Sequence, residues 1–291
     1  MKAIVIGGGI SGLTMALSLH QAGIPVRIYE MAREVKPLGV GFNLQPNAVR
    51  ELTELGLGDQ LADLGTATQV LCFFNKYGQP IWREPRGRAA GFNWPQYSIH
   101  RGRLQVMLAE AVRKRIGSEN LRTGHRCSKF ERRGNKIVAW LVGRESDLVT
   151  EDEADILIGA DGIHSAIRRQ LYPAEGEPAF AGQLLWRAAV VAPPFLAGST
   201  MAIAAHFHQR FIIYPIGPVS GAPGKLLTNW IAQMTVAIEA PPREDWNRKV
   251  LKETFFDAFS GWKFDWLDVP QMIEAADEFF EFPLVDRHPV Q

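Results

Sequence analysis

Residues 3–12 read Ala-Ile-Val-Ile-Gly-Gly-Gly-Ile-Ser-Gly. Four apolar residues running straight into glycines suit a strand buried on both faces, as in the middle of a parallel sheet. Leu13, Ala16 and Leu17 then recur at helical spacing, and residues 26–29 form a second short strand ending at Glu30. Strand, glycine turn, helix and strand make a βαβ unit with a right-handed crossover. Gly7-Gly8-Gly9-Ile10-Ser11-Gly12 is a GxGxxG. Gly7 permits the tight turn, a Cβ at Gly9 would block a diphosphate, and Gly12 lets the helix lie against the strand. The helix tip adds a partial positive charge. Glu30 stands about 20 residues on, where a carboxylate can accept bonds from a ribose diol. Gly7, Gly9, Ile10, Ser11, Gly12 and Glu30 are therefore candidate dinucleotide contacts. The alternative is a glycine-rich turn in a parallel α/β domain without ligand.

The pattern downstream is not a plain series of βα units. After Pro37-Leu38-Gly39-Val40-Gly41, Pro46 opens a helix carrying Val49, Leu52 and Leu55 and stopped at Gly56. Residues 68–74 and 80–83 flank Tyr77-Gly78-Gln79 as a hairpin. Leu104, Met107, Leu108 and Ala111 mark an amphipathic helix ending near Gly117. Residues 136–142 read as a strand, and 156–160 as a second buried-type strand ending at Asp161-Gly162. Beyond about residue 178, strand-like runs at 183–191, 201–208, 211–214 and 226–235 are interrupted by Pro193, Pro194, Pro215, Pro218 and Pro223. They predict a mostly antiparallel sheet added to the α/β part. Residues 244–260 look helical, and 279–285 look like a final strand. Five of the eight tryptophans lie at or after Trp186, which fits core packing better than an aromatic-lined pocket.

Lys and Arg number 32 against 31 Asp and Glu, so no general charge attracts nucleic acid or an anionic membrane. The apolar and charged fractions are those of a folded chain. Cys72 and Cys127 form no CxxC and no disulfide framework, so a reducing compartment and no metal are expected. No apolar run reaches the roughly 20 residues of a membrane span, and the N-terminus has no signal-peptide pattern. The expected location is cytoplasmic. The oligomeric state is not readable.

The sequence resembles the single-component flavoprotein aromatic hydroxylases, the family of 4-hydroxybenzoate and salicylate hydroxylases. The likeness rests on Gly7 to Gly12 with Glu30, on Leu38-Gly39-Val40-Gly41-Phe42-Asn43-Leu44-Gln45-Pro46-Asn47, on Tyr97-Ser98-Ile99-His100-Arg101-Gly102-Arg103-Leu104-Gln105, and on Gly159-Ala160-Asp161-Gly162-Ile163-His164-Ser165-Ala166-Ile167-Arg168. Glu84-Pro85-Arg86-Gly87 and Asp245-Trp246-Asn247-Arg248 are similar to the phenazine-carboxylate monooxygenase branch. The resemblance implies an α/β fold: a Rossmann-like FAD-binding domain (residues 1–75 and 100–178) with an inserted, mostly antiparallel substrate domain (76–99 and 179–280). Residues 281–291 would begin the return strand.

The resemblance also implies FAD as cofactor, NAD(P)H and O₂ as co-substrates, and hydroxylation of a small aromatic, phenazine- or salicylate-like, through a flavin C4a-hydroperoxide. Arg101 would meet the FAD diphosphate, Asp161 the ribose or ribityl region, and Val40 and Gly41 the isoalloxazine. Cys127 would offer a backbone contact to the adenine end, its sulfur being an inert thiol. An exposed helix-start arginine, an ordinary Asp-Gly turn and a flexible loop are the plainer alternatives for Arg101, Asp161 and residues 39–41. No catalytic side chain is assigned, because the flavin carries the chemistry. Leu44, Trp186, Arg187, His206 and Tyr214 are candidate pocket residues, and His100 and His164 read as solvated.

The family's third fingerprint, Gly-Asp before a helix, is not met; Gly58-Asp59 stands in another context. The C-terminal part of the FAD domain is accordingly expected to be missing, with weak FAD retention, an exposed apolar sheet edge and a tendency to associate. A catalytically incompetent fragment or nucleotide-binding paralogue is the alternative to an active monooxygenase. A flavin-dependent halogenase ranks lower, since Trp262-Lys263-Phe264-Asp265-Trp266 does not match Trp-x-Trp-x-Ile-Pro.

Overall fold

The structure is a computed structural model and describes residues 1–37, 39–144, 148–238 and 248–288. Ala3–Ile6 form β1, buried along its whole length. The chain turns through the glycines into α1 (Ile10–Gln21) and returns as β2 (Val26–Glu30), parallel to β1. Next come β3 (Gly41–Leu44), α2 (Pro46–Glu54), α3 (Gly58–Leu64), β4 (Thr66–Thr68), β5 (Val70–Asn75), β6 (Pro80–Pro85) and β7 (Gln96–His100). Then α4 (Arg101–Arg115) leads to β8 (Leu121–Thr123), β9 (His125–Arg133), β10 (Lys136–Gly143), β11 (Val149–Ala154), β12 (Ile156–Gly159) and α5 (Ala166–Leu171). The order ends with β13 (Ala179–Ala192), β14 (Thr200–Ala205), β15 (Gln209–Pro218), β16 (Leu226–Thr235), β17 (Lys249–Val250), β18 (Lys263–Phe264), β19 (Leu267–Asp268), α6 (Val269–Glu274) and β20 (Phe279–Asp286). No described helix is long and apolar enough to cross a membrane.

These elements fall into two compact units: residues 1–37, 104–179 and from 287 onward, and residues 38–103 with 180–286. In the first, a parallel sheet runs in the order β12-β1-β2-β8 beside an antiparallel sheet β11-β10-β9. Leu13, Ala16 and Leu17 are buried, as their spacing on α1 requires. Ile4, Ile6, Tyr29, Cys127, Ala139, Leu141, Ala154 and Ile167 form one core. The strand expected at 156–160 is present but is not buried on both faces. Among the described residues β12 pairs only with β1, and Ile156 is 39% exposed.

Asp152 on β11 ties the two sheets together. It accepts bonds from Lys2 Nζ at 2.9 Å, Arg27 Nη1 at 2.8 Å and Tyr29 Oη at 2.8 Å. Burial alone would raise its pKa, but the bonds from Lys2, Tyr29 and Arg27 outweigh it and hold the carboxyl below its ordinary value. Tyr29 is pushed up to about 12, by burial first and then by Asp152. A depressed carboxylate stabilises the fold above its unfolded pKa, and that stability is lost as pH falls through the folded value. Asp152→Asn should cost about 2 kcal/mol near neutrality, since a charged acceptor of several bonds is weakened. Urea unfolding checks this: the gap between parent and variant should be full at pH 7 and should shrink below about pH 4.

The second unit holds an eight-stranded sheet, β17-β20-β13-β16-β15-β14-β5-β6, together with β3-β7-β4 and the β18–β19 pair. The large sheet is mostly antiparallel, with β14 and β5 parallel. Residues 38–75, assigned from the sequence to the dinucleotide-binding part, lie in this unit. The reason is pairing: β3 and β4 flank β7, and β5 joins β14. Pro215 and Pro218 do not interrupt β15. Pro215 sits at a register shift and Pro218 at the strand end, where the missing N–H costs no regular ladder bond.

The helix expected at 244–260 is not found in its described part, residues 248–260; residues 244–247 lie outside the described ones, as do Asp245, Trp246 and Asn247. Two 3₁₀ turns, Lys252–Thr254 and Phe256–Phe259, are separated at Phe255, whose φ of −142° breaks any helix. That kink stacks the Phe255 ring on Trp186 at 5.1 Å and 12°. Trp186, Phe211, Trp230, Phe255, Phe259, Trp262 and Phe279 are all buried together. Each such ring contributes about 1.5–3 kcal/mol of burial, so the tryptophans described here serve packing.

Candidate functional site

In the first unit the turn between β1 and α1 is made of bare backbone. β1 ends where Gly7 takes φ +109°, and a Cβ there would lie 2.2 Å from the Ala160 carbonyl oxygen. Gly7 N–H donates to the Tyr29 carbonyl at 2.7 Å. A Cβ on Gly12 would lie 1.9 Å from the Gly7 carbonyl oxygen, so helix and turn touch through bare backbone. Gly9 differs from both: a Cβ there would meet nothing within 4 Å. It is the N-cap of α1, and no side chain caps that helix. The first N–H groups of Ile10 and Ser11 thus start a helix end that an anion can satisfy.

Glu30 fastens this turn to β2. Its Oε2 accepts from Gly8 N–H at 2.6 Å and its Oε1 from Ala32 N–H at 2.7 Å. Each carboxylate oxygen has a second lone pair, which leaves acceptors for a ribose hydroxyl. Gln105 Nε2 donates to the Gly8 carbonyl at 2.9 Å from α4.

Asp161 is engaged within its own loop. Its carboxylate accepts from Ser165 Oγ at 2.5 Å and from Ala166 N–H at 2.7 Å, while Ser165 Oγ accepts from Arg168 N–H at 2.9 Å. These residues cap α5. The Arg168 guanidinium pairs with Glu175, so the Asp-Gly…Ser…Arg pattern is accounted for by the folding of its own loop and helix. Cys127 is buried on β9. Burial first, then the nearby Asp161 charge, push its thiol up to about 11, which makes it inert.

In the second unit, Gly39, Val40, Gly41 and Phe42 line a cavity of about 240 Å³ with Arg101, Arg187 and residues 280–282. Val40 accepts from Arg101 N–H at 3.0 Å. Gly41 is needed for close packing: its N–H donates to Asn229 Oδ1 at 2.7 Å, and a Cβ would lie 2.6 Å from Asn229 and 2.7 Å from Tyr214. The missing side chain of Gly41 is therefore filled by protein and does not make room for a flat ring. Burial lowers the pKa of Arg101. Burial also lowers Arg187, Tyr214 opposes that, and the charge of Arg101 adds to it. The Arg187 guanidinium lies 5.3 Å from the centre of the Phe282 ring. Glu281 is buried and already engaged, accepting from Trp186 Nε1 at 3.0 Å and facing Arg248 Nε at 3.4 Å.

Of the substrate candidates, the cavity takes only Arg187. Leu44 is buried at the end of β3, Trp186 is in the aromatic core, and Tyr214 is buried with its hydroxyl pushed up to about 12 by that burial. His206 is exposed in the turn between β14 and β15. His100 is only half-buried: its Nδ1 accepts from Arg103 N–H at 3.3 Å, and burial and then Arg103 lower its pKa. Both ring nitrogens of His164 are buried as well. Sequence reasoning missed Phe280, Glu281 and Phe282. A glutamate in the middle of an otherwise apolar strand was the available signal.

A match to the FAD binding domain family extends over residues 1–252. The chain belongs to that family. The cofactor of this family is FAD, and the fold is the Rossmann-like one of FAD-dependent hydroxylases. The phenazine 1,6-dicarboxylic acid hydroxylase PhzS of Lysobacter antibioticus is 40% identical over 292 residues, covering 99% of this chain and 72% of the relative. The aurachin C monooxygenase/isomerase of Stigmatella aurantiaca is 30% identical over 295 residues, covering 100% of this chain and 70% of the relative. Klebsiella pneumoniae HpxO, solved with FAD and uric acid, shares the fold with a TM-score of 0.77 at 24% identity, over 100% of this chain and 69% of that one.

Proposed function

We propose that this chain hydroxylates an aromatic substrate bearing a negatively charged group, using FAD, NAD(P)H and O₂. The observation that carries the charge preference is the pairing of Arg101 and Arg187 in one cavity walled by Phe42, Phe280 and Phe282. Both guanidiniums are penalised by burial, and Arg187 also by its neighbour's charge. A carboxylate or phenolate entering this cavity meets two guanidiniums, and charge-assisted bonds to a guanidinium are about twice as strong as neutral ones. The phenyl rings hold an aromatic ring and exclude water. The identity of the phenazine dicarboxylate hydroxylase among the relatives agrees with such a substrate.

In the first unit, Gly9, Ile10 and Ser11 would hold the FAD diphosphate by backbone N–H groups, and Glu30 the ribose. The empty space before Gly9 and the uncapped start of α1 fit that group. When bound, FAD supplies electron acceptance from NAD(P)H and oxygen transfer to the ring. Asp161 acts indirectly, by capping α5.

The test is turnover by the full chain with added FAD, NADH or NADPH, and a panel of benzoate, salicylate and phenazine carboxylates beside their neutral amides. Consumption of reduced nicotinamide stimulated by the acids, with a hydroxylated product, is expected. FAD binding without product from any acid would overturn the proposal and leave a nucleotide-binding role.

A further inference from the structure

A second cavity, of about 370 Å³, lies beside α2 in the same unit and has no part in the reading above. Its lining includes Asn47, Arg50, Arg86, Phe92, Trp94 and Gln96. We propose that it binds the adenosine-phosphate end of NAD(P)H, an inference that rests on the chain being a reduced-nicotinamide-consuming flavoenzyme.

Its volume is within the range of ligand sites. Gln96 is 2% exposed, and its Oε1 has no hydrogen-bond partner in the protein. A buried amide oxygen of this kind calls for an N–H or O–H donor, which an adenine amino group or a ribose hydroxyl provides. Trp94 and Phe92 give aromatic faces, and the Arg50 guanidinium lies 6.0 Å from the centre of the Trp94 ring. Phosphate has three places to go: Arg50, Arg86, and the start of α2, where Gln45 is the N-cap and no side chain caps the helix. Arg50 now faces Glu51 and Glu54, and Arg86 faces Glu84. These are partly exposed surface pairs of little strength, and phosphate oxygens exchange for them. Two cations, a helix start and a buried amide oxygen together suit a nucleotide, which brings phosphates as well as hydrogen-bond donors.

The location also keeps this ligand clear of the aromatic substrate. β3 and β7 pair from Gly41 with His100 to Leu44 with Tyr97. The Arg101–Arg187 cavity lies at the Gly41 end of this ribbon and the second cavity at the Leu44 end. The separation is four residues, roughly 13 Å at the usual strand rise.

The experiment is calorimetric titration of the FAD-saturated full chain with ADP. Saturable binding is expected, weakened at least about tenfold by Arg50→Ala/Arg86→Ala and by Trp94→Ala, and unchanged by Arg88→Ala, a surface position outside the cavity. Saturating salicylate should not displace ADP. In turnover, the double variant should raise KM for reduced nicotinamide by the same factor with kcat kept. If urea unfolding shows the double variant to be misfolded, Arg50→Ala alone carries the test. Equal ADP affinity in parent and variants, or displacement of ADP by salicylate, would overturn the site. Because ADP binding is read without catalysis, a chain inactive on every aromatic acid would sink the hydroxylase reading and leave this result standing.

Discussion

Gly9→Ala is expected to leave the fold intact and to remove most of the affinity for FAD. Gly9 has φ −73° and ψ 179°, which alanine adopts freely, and its Cβ would touch no protein atom within 4 Å. Urea stability should therefore stay within about 0.5 kcal/mol. The same methyl group occupies the space in which the FAD diphosphate must approach α1. Affinity, read by flavin fluorescence, should fall about 100-fold, or roughly 3 kcal/mol. Gly12→Ala gives the opposite pattern. Its Cβ would stand 1.9 Å from the Gly7 carbonyl oxygen, a backbone atom. Overpacking there should cost about 1–3 kcal/mol or more of stability, with FAD lost as a consequence. The contrast separates a residue that makes room for a ligand from one that makes room for the helix.

Arg187→Met should strongly weaken binding of anionic aromatics while leaving FAD affinity unchanged. Methionine keeps much of the packing against Phe282 and removes the charge. Loss of a buried charge-assisted contact costs about 2–4 kcal/mol, so Kd for the acid should rise about 30- to 1,000-fold. Neutral amides of the same rings should lose far less, since they gain little from the guanidinium. Arg187→Lys should recover part of the affinity, because the charge returns without the planar fork. Titrations of the acid and its amide against each variant check the set. An equal loss for both would place Arg187 in packing and leave the proposed charge preference without support.

The βαβ start was legible because each step is local. β1 is an apolar run, α1 shows its buried stripe at Leu13, Ala16 and Leu17, and the glycines between them permit conformations and contacts that side chains forbid. The glycine turn is made of backbone, so residue type alone exposes it. The substrate cavity is another matter. Arg101, Arg187 and residues 280–282 meet because β20 pairs beside β13, a long-range choice that no local pattern records. Phe255 and Phe259 have helical spacing yet face the core from the break between two 3₁₀ turns and from the end of the second, since the sheet's aromatic core dictates where the rings go. Asp161 shows a further limit. Its motif was visible, but only coordinates reveal that its carboxylate caps α5.

Titration of the purified full chain with FAD, parent beside Gly9→Ala, is the most direct measurement of how the first glycines work. Saturation at one flavin per chain by the parent, with flavin fluorescence changed and the variant folded but far weaker, is the predicted result. Absence of saturable flavin binding, or equal binding by both proteins, would contradict the assignment of this backbone opening to FAD.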